Sequence, residues 1–341
     1  MKKKTILVTG GAGYIGSHTI IELLNEKNVE IISIDNYSNS TPKTFDRIKK
    51  ITGVKIKNYN IDLCDLPEVK KVFRANKGIT GIIHFAAFKS VPESVENPLL
   101  YYHNNIASLV NILKCTEEFK IPHFIFSSSC SVYGNIENLP VKEDTPLKNA
   151  ESPYGYTKQI GEAMIKYLSR INSKTNFIIL RYFNPVGAHL SGLNGELPLN
   201  KPANLVPVIT QTAAGKIKKL TIYGDDYNTR DGTCVRDYVH VSDIASAHVC
   251  ALNCSIKKET DRYEIFNLGT GNGVTVLEAI KAFEKVSGKK LNYETGKRRE
   301  GDVEAIYSDC TKVEQKLKWK ARYSIDQMME SAWKWELNLQ R

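Results

Sequence analysis

Leu7-Val8-Thr9-Gly10-Gly11-Ala12-Gly13-Tyr14-Ile15-Gly16 is the stretch that decides how this chain folds. An apolar run, Thr5 to Val8, leads into the glycines, and a helix-like pattern, Tyr14 to Glu26, leads out of them. A strand, a glycine turn and a helix in that order make a cradle for a pyrophosphate. Gly10 permits the tight turn, Gly13 lets the backbone approach the phosphates, and Gly16 lets the helix lie close to the strand. The helix start then offers free N–H groups and a partial positive charge to an anion.

Outward from the loop, Asp35 lies 19 residues beyond Gly16, at the end of a second apolar run, Ile31 to Ile34. A carboxylate there accepts both hydroxyls of an adenosine ribose and repels a 2′-phosphate, so NAD is expected rather than NADP. Asp62, after the third strand, is either a partner for the adenine amine or a turn residue. Apolar runs continue at Gly81 to Phe85, Phe124 to Ser127 and Phe177 to Leu180, with helical patterns at Tyr101 to Phe119 and Tyr154 to Ser169. Wholly apolar strands separated by helices predict a parallel sheet covered on both faces. The fold class is therefore α/β, a doubly wound Rossmann sheet. From Asn184 to Leu199, Gly, Pro and Asn become frequent and the alternation loosens. Tyr263 to Leu268 reads as one more sheet strand, and Val276 to Val286 and Ile325 to Trp335 read as helices. We expect a cofactor domain over residues 1–183, with a return strand near 263–268, and a smaller mixed α/β substrate domain over 184–341 interleaved with it.

The chain has 341 residues, 42% hydrophobic and 25% charged, which suits a soluble protein able to bury a core without cross-links. Its net charge of +10 suits either a nucleic acid or a small phosphate-bearing substrate. The lysines are scattered, with only short runs at Lys2 to Lys4, Lys49 and Lys50, and Lys257 and Lys258, so the small substrate is expected and nucleic acid is not. Seven cysteines, at 64, 115, 130, 234, 250, 254 and 310, include no CxxC pair. Cys250 and Cys254 can share a helix face, but no histidine cluster completes a zinc set, so no metal is expected. The thiols read as the reduced cysteines of a cytoplasmic protein. The lysines and TILV at the start mimic a signal peptide until Thr9-Gly10-Gly11 interrupts, well short of the roughly 7–15 apolar residues such a core needs. No apolar run reaches the roughly 18 residues of a membrane span.

Tyr154-Gly155-Tyr156-Thr157-Lys158 opens a helix after Ser152-Pro153. Tyr154 and Lys158, four apart, share a face. A free tyrosine titrates near 10, too high for a base at neutral pH. A nearby cation favours the phenolate, and a nicotinamide ring would add a second positive charge, so proton abstraction from a sugar hydroxyl becomes feasible. Some 25 residues upstream, Phe126-Ser127-Ser128-Ser129 ends a strand, where a hydroxyl faces the cofactor crevice. Ser129 is the hydroxyl expected to bond both substrate and Tyr154.

These residues resemble the UDP-glucose 4-epimerase family of extended short-chain dehydrogenase/reductases. The resemblance runs nearly the length of the chain, through TGGAGYIGSH (Thr9 to His18), IIHFAA, FIFSSS, SVYG, SPYG, RYFNPVGAH, VRDYVHVSD and RREGD. It implies an isomerase whose catalytic trio is Ser129, Tyr154 and Lys158. It implies NAD contacts from Tyr14, Ile15, Asp35, Asn36, Asp62, Leu63, Phe85, Ala86, Lys89, Asn104, Lys158 and Phe183. It implies that Asn184, Asn204, Arg236, Arg299 and Asp302 hold a UDP-sugar, and arginine forks do suit a pyrophosphate. The reaction implied oxidises the sugar at C4 and reduces it again from the other face, with no net redox change.

Departures from the family pattern carry information. Cys130 follows Ser129 where a small residue is usual, and reads as a packing substitution, while Ala87 stands where a glycine is an alternative. Ile306, four residues after Asp302, stands where some members carry a bulky Tyr and others a smaller residue. A smaller side chain leaves room at the sugar 2-position, so turnover of N-acetylated UDP-sugars is also expected. The nearest alternative is a nucleotide-sugar 4,6-dehydratase, whose elimination needs an acid and a base where this chain has Cys130 and Ser131. A UDP-glucuronate decarboxylase would want a glutamate in the same loop. A non-catalytic NAD-sensing protein would be expected to lose Tyr154 or Lys158, and both are present. The helical patterns Tyr101 to Phe119 and Tyr154 to Ser169 suit a four-helix homodimer interface, to which the resemblance also points.

Overall fold

A computed structural model describes residues 4–171, 174–200, 202–299 and 301–340. Lys2, Lys3, Glu300 of the RREGD motif and Arg341 at the chain end lie outside the described residues. Six strands appear up to Tyr182: β1 (Lys4–Thr9), β2 (Val29–Ile34), β3 (Lys57–Tyr59), β4 (Ile79–His84), β5 (His123–Ser129) and β6 (Asn176–Tyr182). With the later strand Tyr263–Leu268 they form one seven-stranded sheet. From one edge the order is Tyr263–Leu268, β6, β5, β4, β1, β2, β3, and every neighbouring pair is parallel. The chain winds one way from β1 to β3, then returns to β4 and winds the other way. Ligands of such sheets bind outside the carboxyl ends of the strands at that reversal, here between β1 and β4.

Period-two alternation buries both faces of the sheet. Ile6 and Val8 pack with Ile20 and Leu23 of helix α1 (Tyr14–Leu24) and with Val249 and Leu252 of the helix Val241–Lys257. Leu7, between them in sequence, packs on the other face with Leu109, Ile112 and Ile165. Each such side chain contributes about 1.5–3 kcal/mol over its exposed state, so the sheet is a firm platform for the loops at its carboxyl edge. A further apolar cluster joins the helices Leu205–Ala213, Val276–Ser287 and Ile325–Asn338 through Ile209, Phe283 and Met329.

The strand and helix expectations agree with the observed elements to within a few residues, with two differences. The pattern from Tyr101 to Phe119 is not one α-helix. Pro98–Tyr102 and Ser108–Glu118 are α-helical, and His103–Ala107 between them is a π-turn. That turn holds Asn105, whose side chain is drawn to the Phe88 backbone, accepting from its N–H at 2.8 Å and donating to its carbonyl at 3.0 Å. The second difference is the set of helices that the sequence reading does not place, among them Lys43–Thr52, Leu66–Ala75, Leu205–Ala213 and Val241–Lys257. Cys250 and Cys254 both lie on the last of these, and all seven cysteines are free thiols. Among the described residues no group of His, Cys, Asp and Glu is arranged to hold a metal, and no helix is long and apolar enough to cross a membrane.

Candidate active site

The glycine loop after β1 is sterically closed to side chains. Gly10 has φ 70°, and a Cβ there would sit 2.8 Å from the Ala86 nitrogen, on the loop after β4. A Cβ on Gly16 would sit 2.2 Å from the Gly10 carbonyl oxygen. Gly13 precedes α1, whose start has no side-chain cap and no acidic residue in its first turn. That leaves the helix end open to an anion. Asp35, at the end of β2, is held rather than free. Its Oδ2 accepts from the Ala12 N–H at 2.9 Å, and its Oδ1 accepts from the Tyr37 N–H at 2.9 Å and the Ser40 hydroxyl at 2.7 Å. Asp62 accepts from the Cys64 N–H at 2.8 Å and from the Asn36 amide at 3.3 Å. These residues fit a dinucleotide: a bare helix end for its phosphates and a fixed carboxylate for its ribose.

The chemical groups converge from β5 and from the helix Pro153–Arg170. Ser152 caps that helix by accepting from the Gly155 N–H, and Pro153 starts it. Tyr154 and Lys158 are both buried, on its inward face. The Lys158 ammonium donates to the Ser127 carbonyl at 2.9 Å and lies 5.9 Å from the centre of the Tyr154 ring. Burial lowers its pKa to about 8, against the pull of Glu162 one turn further on. Burial pushes the Tyr154 phenol up to about 12, opposed by the Ser129 hydroxyl. Without a further positive charge Tyr154 therefore stays protonated at neutral pH. Ser129 itself bonds to Ser131, its oxygen accepting from the Ser131 N–H at 3.2 Å.

Behind this pair lies a buried network that positions it. Glu162 takes a fork from Arg181, with Nη2 to Oε2 at 2.6 Å and Nε to Oε1 at 2.9 Å, and also accepts from Ser128 at 2.5 Å. Arg181 donates on to the Tyr133 hydroxyl at 3.0 Å, which donates to Asn267 at 2.7 Å. On the other side of β5 the Ser127 hydroxyl meets His248 Nε2 at 3.0 Å, while His248 Nδ1 lies 2.8 Å from the Ile244 carbonyl. Burial lowers His248 to about 4, so the ring is neutral, with Nδ1 the donor. Its ring also packs 4.6 Å from that of Phe85.

The substrate candidates gather across the cleft. Arg299 forks onto Asp302 at 2.9 and 3.1 Å, and Arg236 Nη2 lies 3.7 Å from the same carboxylate. Two guanidiniums sharing one carboxylate leave a net positive charge. The Asn184 side-chain oxygen is buried with no hydrogen-bond partner, which asks for a donor from a ligand. Asn204 donates to Glu196 at 2.6 Å, and Lys89 donates to the same oxygen at 2.7 Å. Ile306 is buried beside Val132, Tyr133 and Phe183.

One cavity of about 640 Å³ joins these groups. Gly10, Gly13, Tyr14, Ile15, Gly16, Asp35, Asn36, Asp62, Leu63, Phe85, Ala86, Lys89 and Asn104 line it, as do Tyr154 and Lys158. Asn184, Asn204, Arg236, Arg299, Asp302 and Ile306 line it too. Ser129 and Phe183 do not. Ser129 sits just behind Cys130 and Ser131, which do, and Phe183 is 1% exposed in the apolar cluster beneath. Residues that sequence reasoning missed include Asn105, Glu162, Arg181, Glu196 and His248. Only Glu162 had a local signal, one helical turn from Lys158.

A doubly wound sheet, a glycine loop at its switch point and a buried Tyr–Lys pair beside a serine-ended strand define an extended short-chain dehydrogenase/reductase. A family profile described as GDP-mannose 4,6 dehydratase matches residues 7–332. The chain is 46% identical over 331 residues to a UDP-glucose 4-epimerase of Bacillus subtilis, covering 97% of this chain and 96% of that one. It is 45% identical over 342 residues to the Drosophila melanogaster enzyme of the same name, covering 98% and 97%. The crystal structure of UDP-glucose 4-epimerase from Bifidobacterium longum in complex with NAD+ and UDP superposes with a TM-score of 0.93, at 44% identity and 98% coverage of both chains. The UDP-Glc/GlcNAc 4-epimerase of Campylobacter jejuni superposes with a TM-score of 0.83, at 38% identity, covering 98% and 99%. The chain belongs to the UDP-glucose 4-epimerase family.

Proposed function

We propose that this protein interconverts UDP-galactose and UDP-glucose by transient oxidation at C4, using a tightly held NAD. The observation that carries the reading is the single cavity in which the Tyr154–Lys158 pair lies between the glycine loop and the Arg236–Asp302–Arg299 cluster. In this reading NAD, when bound, accepts a hydride from the sugar and returns it. Tyr154 takes the proton of the sugar 4-hydroxyl and gives it back, with Ser129 bonding the same hydroxyl. Lys158 stabilises the phenolate and stays anchored on the Ser127 carbonyl. Asp35 and the α1 end hold the dinucleotide, and Arg236 and Arg299 hold the UDP. Cys130 and Ser131 favour this over a 4,6-dehydratase, because burial pushes the Cys130 thiol up to about 12 and neither side chain supplies the acid–base pair elimination needs.

We assign the dinucleotide to the part ending near residue 183 together with the strand near 263–268, and the UDP-sugar to the part from 184 on. A cytoplasmic homodimer belongs to the same proposal. Its support is exposed apolar surface on the helices Pro98–Tyr102 and Pro153–Arg170: Leu99, Leu100, Tyr156 and Tyr167, with Leu99 80% exposed. Acceptance of N-acetylated UDP-sugars rests on Ile306, whose side chain lines the cavity without the reach of a Tyr. UDP-N-acetylgalactosamine tests it, and no product at saturating substrate removes the idea. The main proposal is tested by following UDP-glucose formation from UDP-galactose. Tyr154→Phe is expected to abolish it and still carry NAD; undiminished activity in that variant would overturn the assignment of the base.

A further inference from the structure

Five basic residues line the cavity among the described ones: Arg47, Lys89, Lys158, Arg236 and Arg299. Four have hydrogen-bond or ionic partners within the protein. Lys89 is paired with Glu196, Lys158 with the Ser127 carbonyl, and Arg236 and Arg299 with Asp302. Arg47 is the exception. Arg47 is half-buried, its guanidinium forms no hydrogen bond or ion pair with the described residues, and it lies over the Trp335 ring, 5.0 Å from the ring centre. A guanidinium has five donors in a fixed fork, and one turned into a ligand cavity without an acceptor is poised for an anion.

The surroundings indicate which anion. Arg47 lies on the helix Lys43–Thr52, one turn beyond Thr44, and both line the cavity on the side of the Asp35 loop. The lining also includes Ser17 of α1 and Asn194 and Gly195, with the Asn194 amide donating to the Ser17 hydroxyl at 2.9 Å. Trp335 is fixed in turn: its Nε1–H donates to the Glu196 carbonyl at 2.8 Å, and its ring leaves no room for a Cβ on Gly195. The cation is thus held over a rigid aromatic plate that packs on Gly195, next to Asn194 and its bond to Ser17 in the first turn of α1. Asp35 already fills the place where a 2′-phosphate would sit.

We propose that Arg47 binds the pyrophosphate of the resident NAD and, stacked on Trp335, closes the adenosine end of the cleft so that the cofactor leaves slowly. This rests on the NAD reading above. The stack makes the clamp a joint device of the Lys43–Thr52 helix and the C-terminal helix Ile325–Asn338.

The test measures NAD retained by the purified holoenzyme during prolonged dialysis, by enzymatic cycling of released cofactor, at low and high salt. Arg47→Gln is expected to lose NAD about tenfold faster than the wild type at low salt, one charge-assisted contact's worth. Arg47→Lys, which keeps the charge and loses the fork, should fall between. High salt should speed loss from the wild type and leave R47Q nearly unchanged. Equal release from wild type and R47Q overturns the proposal, as does an equal salt effect on both. Release that exchanging NAD for NADP slows in the wild type and not in R47Q also overturns it, because the guanidinium would then serve the 2′-position. A wild type that carries no NAD at all defeats the cofactor reading itself, a result distinct from these.

Discussion

Replacing Lys158 with Met separates what this residue does for chemistry from what it costs the fold. The ammonium lies 5.9 Å from the centre of the Tyr154 ring. At an effective dielectric of about 20, a charge at that distance stabilises a phenolate by about 3 kcal/mol, or about two pKa units. Removing it should raise the pH at which Tyr154 works by about two units and slow epimerisation at neutral pH roughly a hundredfold. Stability should move the other way. Burial lowers the Lys158 pKa from 10.5 to about 8, and the side chain is 5% exposed, so solvent screening relieves little of this. The unfolded chain binds the proton more tightly, and below pH 8 the folded state carries the full penalty, about 3 kcal/mol. That penalty fades as pH rises from 8 to 10.5 and is gone above. Losing the bond to the Ser127 carbonyl returns about 2 kcal/mol, counting the carbonyl left unpaired. Cofactor-free K158M should therefore be about 1 kcal/mol more stable than the wild type at pH 7, and lose that advantage above pH 10.5. Urea unfolding at the two pH values, with initial rates on UDP-galactose, measures both. A variant less stable at pH 7, or one with wild-type rates, refutes the reasoning.

Gly16→Ala places a Cβ 2.2 Å from the Gly10 carbonyl oxygen, so α1 must back away from its loop; the purified variant should carry little NAD by enzymatic cycling. Glu162→Gln leaves the buried Arg181 charge without its carboxylate, and the urea midpoint should fall by an amount equivalent to about 3–5 kcal/mol. Leu99→Glu puts a charge into the apolar patch proposed for the dimer, and sedimentation should find a dimer for the wild type and a monomer for the variant.

What was legible in the sequence is what is local and periodic. Ile6, Leu7 and Val8 alternate across a sheet buried on both faces, so an unbroken apolar run sufficed to place β1. The glycine loop and the Tyr154–Lys158 pair are legible because a turn and a helix fix their spacing. The remainder depends on pairings far apart along the chain. Arg181 meets Glu162 only because β6 lies beside β5 under the helix Pro153–Arg170, and His248 reaches Ser127 from the helix Val241–Lys257, over a hundred residues further along the chain. Glu196 meets Lys89 and Asn204 from a Gly- and Pro-rich stretch with no periodicity to read. The π-turn at His103–Ala107 follows from the hold of Asn105 on the Phe88 backbone, a contact that no helical pattern contains.

The central claim is that hydride leaves C4 and returns to it within one cavity, on a cofactor that stays bound. The most direct measurement supplies UDP-galactose deuterated at C4 to protein purified without added NAD, and analyses the product by mass spectrometry and NMR. The account predicts UDP-glucose with the deuterium retained at C4. Product with solvent hydrogen at C4, a 4-keto-6-deoxy sugar, or no turnover from a preparation that contains bound NAD would contradict it.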